Sequence, residues 1–181
     1  AGHVRVYEYS NSSWTQIGSD IDGEAADDYS GRSVSMNSAG DRVAIGAYGN
    51  DGTGTSAGHV RVYEYSNSSW TQLGSDIDGE ALDDYSGYSV SMNPAGGRVA
   101  IGAPYNDGTG TNAGHVRVYS ISEPTFQPQT RAALDTAVDL WVSDSASAVA
   151  AYGDINTWDL SLITDMSDLF KQKTTFNDDI S

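Results

Sequence analysis

Three histidines, His3, His59 and His115, recur at intervals of 56 residues, each as the third residue of the same phrase, Ala-Gly-His-Val-Arg-Val-Tyr. An imidazole can ligate a metal or shuttle a proton. As copies of one strand position, these either line a rim at successive structural units or are half-exposed strand side chains bonded locally. A second candidate is the acidic stretch Asp20-Ile21-Asp22-Gly23-Glu24 with Asp27 and Asp28, repeated as Asp76-Ile77-Asp78-Gly79-Glu80 with Asp83 and Asp84. Hard oxygens at alternating positions before a glycine suit Ca²⁺, so Asp20, Asp22, Asp28, Asp76, Asp78 and Asp84 are candidate calcium ligands. The spacing departs from the EF-hand, and Asp-x-Asp-Gly also serves plain turns. Asp28 and Asp84, just before Tyr-Ser-Gly, equally suit hydrogen bonds to the loop backbone. The third candidate is aromatic. Tyr48, Tyr88 and Tyr105 fall where two otherwise matching segments differ, which marks them as exposed recognition residues, tyrosine being favoured at such surfaces.

Other chemistries lack players. There is no Gly-x-Ser-x-Gly, no Ser-x-x-Lys, no His-Glu-x-x-His and no cysteine. Gly52-Thr53-Gly54 and Gly108-Thr109-Gly110 follow Asn-Asp pairs and read as turns, not phosphate cradles. The expectation is a protein without catalytic residues or a required cofactor. A net charge of −16, from 9 Lys+Arg against 25 Asp+Glu, repels phosphate backbones and anionic headgroups, so nucleic acid and membrane surfaces are poor partners. No apolar run approaches the ~20 residues of a membrane-spanning helix.

The elements that carry these residues follow from the repeat. Segments 1–56 and 57–112 are identical at 48 of 56 positions, differing at 17, 26, 32, 38, 41, 48, 49 and 56, and a third copy opens at Ala113. Each unit reads as β. His59 to Tyr65 alternates, with Val60 and Val62 on one face. Ser66-Asn67-Ser68-Ser69 is a turn, and Trp70 to Gly74 a return strand. Ser75 to Ser86 is expected to be a long loop. Gly87 to Met92 and Arg98 to Ala103 form a hairpin around Asn93-Pro94-Ala95-Gly96-Gly97. Four strands per unit suit the blades of a β-propeller, with a stacked β-solenoid as the alternative. Small residues in Ser-Val-Ser-Met and Val-Ala-Ile-Gly-Ala fit strands crowded around a channel.

Ser86-Gly87-Tyr88-Ser89-Val90, then Arg98-Val99-Ala100-Ile101-Gly102-Ala103-Pro104, then Gly114-His115-Val116-Arg117-Val118-Tyr119 resembles an FG-GAP repeat, the blade unit of integrin-α-type propellers, over about residues 1–122. That family often carries a Ca²⁺ loop between the first two blade strands. Here the stretch is Asn93 to Gly97, without a carboxylate, and its copy offers only Asp41.

Composition changes at Glu123. Pro124 and Pro128 bracket a linker, 123–131. Beyond it Ala133, Leu134, Ala137, Val138, Leu140 and Trp141 follow a helical period, with Thr130 as cap and a break at Ser143 to Ser147 before a short second helix. Trp158, Asp159, Ser161, Thr164, Asp165, Met166 and Phe170, then Phe176, Asn177, Asp179 and Ile180, resemble the phrase of BspA-like leucine-rich repeat surface proteins over 132–181, with the helix as N-terminal cap.

The expected fold is therefore mainly β: two four-stranded propeller-type blades plus a third strand, then a small α/β leucine-rich-repeat segment. Both arrays read as cut from longer ones, with open edge strands available for self-association. Both resemblances imply a cell-surface or extracellular protein for adhesion, bound to a protein or glycan ligand. The alternatives are an accessory region of a larger secreted enzyme and a self-associating structural surface protein.

Overall fold

The structure, a computed structural model, describes residues 1–121, 126–171 and 173. The chain divides into two compact units, Ala1–Ile121 and Ser122–Ser181.

The first unit is all β. β1 (His3–Val4) pairs with β4 (Ile21–Asp22), and β2 (Tyr7–Ser10) with β3 (Ser13–Gln16). A larger antiparallel sheet runs in sequence order through β5 (Ser33–Met36), β6 (Arg42–Ala47), β7 (His59–Ser66) and β8 (Ser69–Gln72), with β9 (Ile77–Asp78) against the start of β7. A third sheet orders β10 (Ser89–Met92), β11 (Arg98–Ala103) and β12 (His115–Ser120). Among the described residues no sheet closes into a barrel. The larger sheet crosses the repeat boundary, taking β5 and β6 from one copy and β7 and β8 from the next. The stretch 75–86, expected to be loop throughout, supplies β9, because Ile77 meets Val60 and Asp78 meets His59 across a short ladder.

Period-two alternation decides which faces are buried. Ala44, Val60 and Val62 pack against Met92, Val99 and Ile101 of the following sheet. Val43, Ile45 and Tyr63, on the opposite face, pack with Ile21, Val4 and Trp70. Each such valine or isoleucine withdraws apolar surface worth ~1.5–3 kcal/mol. The sheets approach so closely that a Cβ on Gly46 would stand 2.1 Å from the carbonyl oxygen of Gly87. Gly87 itself holds φ +81°, the left-handed region that glycine enters without a steric penalty.

Turn chemistry fixes the hairpins. The Asn37 carboxamide oxygen accepts from the backbone N–H groups of Gly40, Asp41 and Arg42, and Asn93 accepts from Arg98 in the copy. Asn50 and Asn106 do the same for Gly52 and Gly108.

In the second unit α1 spans Arg131–Ser143, and its Thr130 cap accepts from the Ala133 N–H. Leu134, Ala137, Val138 and Trp141 form its buried stripe. α2 (Ser145–Tyr152) starts at Asp144, whose carboxylate accepts from Ser147, and a 3₁₀ turn follows at Ile155–Thr157. The core gathers Leu134, Val138, Trp141, Ala148, Ile155, Trp158 and Leu169. Part of the expected linker belongs to it: Phe126 rests 5.0 Å from the Trp158 ring, its carbonyl accepts from Asp159 N–H, and Pro128 is fully buried. Pro124 and the restart of the phrase at Phe176, Asn177, Asp179 and Ile180 lie outside the described residues.

Candidate functional site

Both copies of the repeat build a partly exposed row of tyrosines. Its foundation is the buried carboxylate of Asp28, which accepts from Ala25 N–H at 2.9 Å and from the Asn50 amide at 3.3 Å. In the copy Asp84 accepts from Ala81 N–H and Asn106. These bonds anchor the loops that carry the next residues, Tyr29 and Tyr85, at φ +56° and +54°. The left-handed region costs a non-glycine residue roughly 1–2 kcal/mol, a strain that the anchored loops sustain.

Tyr29 stacks on Tyr48 with ring centres 5.2 Å apart and planes 4° from parallel. Tyr48 meets Tyr88 at 5.4 Å and the edge of Tyr85 at 5.6 Å, and Tyr85 meets Tyr105 at 5.2 Å. The Arg32 guanidinium lies 5.9 Å from the Tyr88 ring centre. Tyr29, Tyr88 and Tyr105 remain 51%, 45% and 45% exposed, whereas Tyr48 is half-buried. Of the three tyrosines singled out in the sequence, Tyr88 and Tyr105 are thus exposed and Tyr48 is the hub that links them. Tyr29 and Tyr85 escaped that reading because they are identical between the copies. The signal they did offer was position, directly after Asp28 and Asp84.

The aspartates are dispersed. Asp20 accepts from Arg5 at both oxygens, Nε shared between them and Nη2 on Oδ2, and from Gln16, and these hold its carboxyl down to about 2. Asp22 and Asp78 sit in the short strands β4 and β9. Asp76 accepts from Gln72 at 2.7 Å. Asp28 and Asp84 hold loop backbone, as described. The hairpins that follow β5 and β10 use Asn37 and Asn93 to cap backbone donors, and residues 93–97 bring no carboxylate, a poor donor set for Ca²⁺.

The histidines differ from one another. His3 is exposed and His115 half-buried, but His59 is 1% exposed, against the half-exposed strand residue expected. Its Nδ1 faces Asp76 at 3.5 Å and Glu24 at 4.0 Å. Arg61, two residues on, donates to the Asp22 carbonyl at 2.8 Å and meets Glu24 at 3.4 Å. Glu24 was not read as a site residue, because the stacking that brings it 35 positions along the chain to His59 leaves no local mark.

Over residues 141–181, less than a quarter of the chain, the sequence is similar to a family described as "Mycoplasma protein of unknown function, DUF285". No curated protein matches the chain.

Proposed function

We propose that this chain is a non-catalytic, cell-surface or secreted binding protein that engages a protein or glycan ligand through its tyrosine row. In this reading the first unit consists of FG-GAP-like propeller blades, and the second is a BspA-like leucine-rich-repeat segment capped by α1. The observation that carries the proposal is the continuous set Tyr29, Tyr48, Tyr85, Tyr88 and Tyr105, with three rings about half exposed. Tyrosine presents a large rigid face and a polar tip at low entropic cost, which suits both sugar faces and protein side chains. The strain at Tyr29 and Tyr85 supports it further, since strained backbone concentrates at ligand-contacting loops.

The test is binding of wild type and of the Tyr88→Ala and Tyr105→Ala variants to arrays of glycans and extracellular proteins. Both substitutions remove exposed rings, so unchanged melting profiles are expected. A ligand that wild type retains and both variants lose supports the row; retention by both variants refutes it.

A second reading, self-association, has its own observation. Val116 and Val118 are 67% and 66% exposed, whereas their counterparts Val60 and Val62 are 0% and 3% exposed beneath the next sheet. The exposed Val34 and Met36 lie on the opposite kind of face, the one Val90 and Met92 use to cover Val60 and Val62. Two copies joined head to tail through these faces would reproduce the internal packing.

A further inference from the structure

We propose that Glu24, His59 and Asp76 form a binding site for a first-row divalent cation, Zn²⁺ foremost, between consecutive units of the repeat. The nitrogen at its centre, His59 Nδ1, is buried and has no hydrogen-bond partner. Two carboxylates face it, each with one oxygen engaged elsewhere and the other turned to the imidazole. Asp76 gives Oδ1 to Gln72 and holds Oδ2 3.5 Å from Nδ1. Glu24 gives Oε1 to Arg61 and holds Oε2 4.0 Å from Nδ1. All three ligand atoms lie within 4.8 Å of one another.

Those separations are too long for hydrogen bonds and close to what a cation requires. Tetrahedral ligands at bonds of about 2.1 Å stand about 3.4 Å apart, so the Asp76 distance fits and the Glu24 side chain needs to close by roughly half an ångström. Glu24 is 48% exposed at its side chain and Asp76 28%, which gives it that freedom and provides a path from solvent, while His59 is fixed. One imidazole nitrogen and two carboxylate oxygens favour Zn²⁺ or Mn²⁺ over Ca²⁺, which prefers an all-oxygen shell. Water would complete the coordination.

The other copies explain why, among the described residues, the site forms once. In the first copy Arg5 occupies both oxygens of Asp20, the counterpart of Asp76. In the second, Arg61 turns instead to Glu24 and the Asp22 carbonyl, and this releases Asp76 to face His59. In the third, Glu80 meets His115 and Arg117, but the sequence leaves the repeat after Tyr119 and offers no counterpart of Asp76.

The test titrates ZnCl₂ into the full chain by calorimetry while NMR follows the histidine ring resonances. Glu24→Gln and Asp76→Asn keep shape at half-exposed positions, so folding is expected to survive, whereas the buried His59 is left intact. The site requires one equivalent of Zn²⁺ to move the His59 resonances ahead of those of His3 and His115, with affinity falling about tenfold or more in each variant. A flat titration, binding undiminished in both variants, or a first equivalent that moves His3 or His115 instead would overturn it.

Discussion

At the scale of single residues, the repeat lets one substitution be made twice in nearly the same setting. Gly46 and Gly102 are counterparts, each beside a serine hydroxyl. A Cβ at Gly46 would stand 2.1 Å from the Gly87 backbone oxygen, which cannot move without parting two sheets. At Gly102 the nearest atom is the Ser89 hydroxyl at 2.4 Å, which can rotate away. Gly46→Ala is therefore expected to cost about 1–3 kcal/mol, as overpacking does, and Gly102→Ala far less. Denaturant titration of both variants checks this, and equal costs would contradict the inter-sheet approach. Residue chemistry was only partly legible. Tyr88 and Tyr105 were marked by divergence between copies, and Asn-Asp-Gly turns by their composition. Tyr29, Glu24 and the burial of His59 were not, because their roles depend on which neighbouring unit is stacked on them.

At the scale of elements, legibility follows how local each element's determinants are. α1 was readable to its cap, since Thr130 and the spacing of Leu134, Ala137, Val138 and Trp141 are all set within one helix. β6 and β11 matched their apolar runs. β9 was hidden in an acidic stretch, because two residues become a strand only by pairing with β7. The role of Phe126 and Pro128 was hidden likewise, a proline signalling a break in the ladder but not what the chain then packs against. Two predictions belong here. Trp158 meets Phe126, Trp141 and Tyr152 edge-on, so Trp158→Ala should cost about 3–5 kcal/mol and unfold the second unit first. Loss of helical dichroism with the β signal retained is the expected result. The second concerns pH. The Ser147 hydroxyl and N–H hold the Asp144 carboxyl below its ordinary value of 3.8. Its contribution to α2 is thus complete above about 3.8 and lost as pH falls through the lowered value. Asp144→Ala should remove that part of the acid dependence of helicity and lower the midpoint by a few degrees.

At the scale of the whole molecule, charge and repetition set the behaviour. The net charge of −16 opposes self-association at low ionic strength, while the Val116 and Val118 face favours it. Sedimentation should therefore show concentration-dependent assembly that strengthens with salt, and Val118→Glu, a change at an exposed position, should abolish it. Assembly that weakens with salt would point to ion pairs instead of the apolar face. The mainly β character was readable from the alternation and turn signals within the repeat. The passage of one sheet across the repeat boundary was not fixed by any one copy, since it depends on which strands the next copy supplies. The central claim, that the tyrosine row is the ligand-binding face, is tested most directly by NMR of tyrosine-labelled protein during titration with a ligand recovered from the arrays. The account predicts that the ring resonances of Tyr29, Tyr88 and Tyr105 shift together while those of Tyr7 and Tyr9 stay in place. Shifts confined to tyrosines outside the row, with saturable binding, would contradict it.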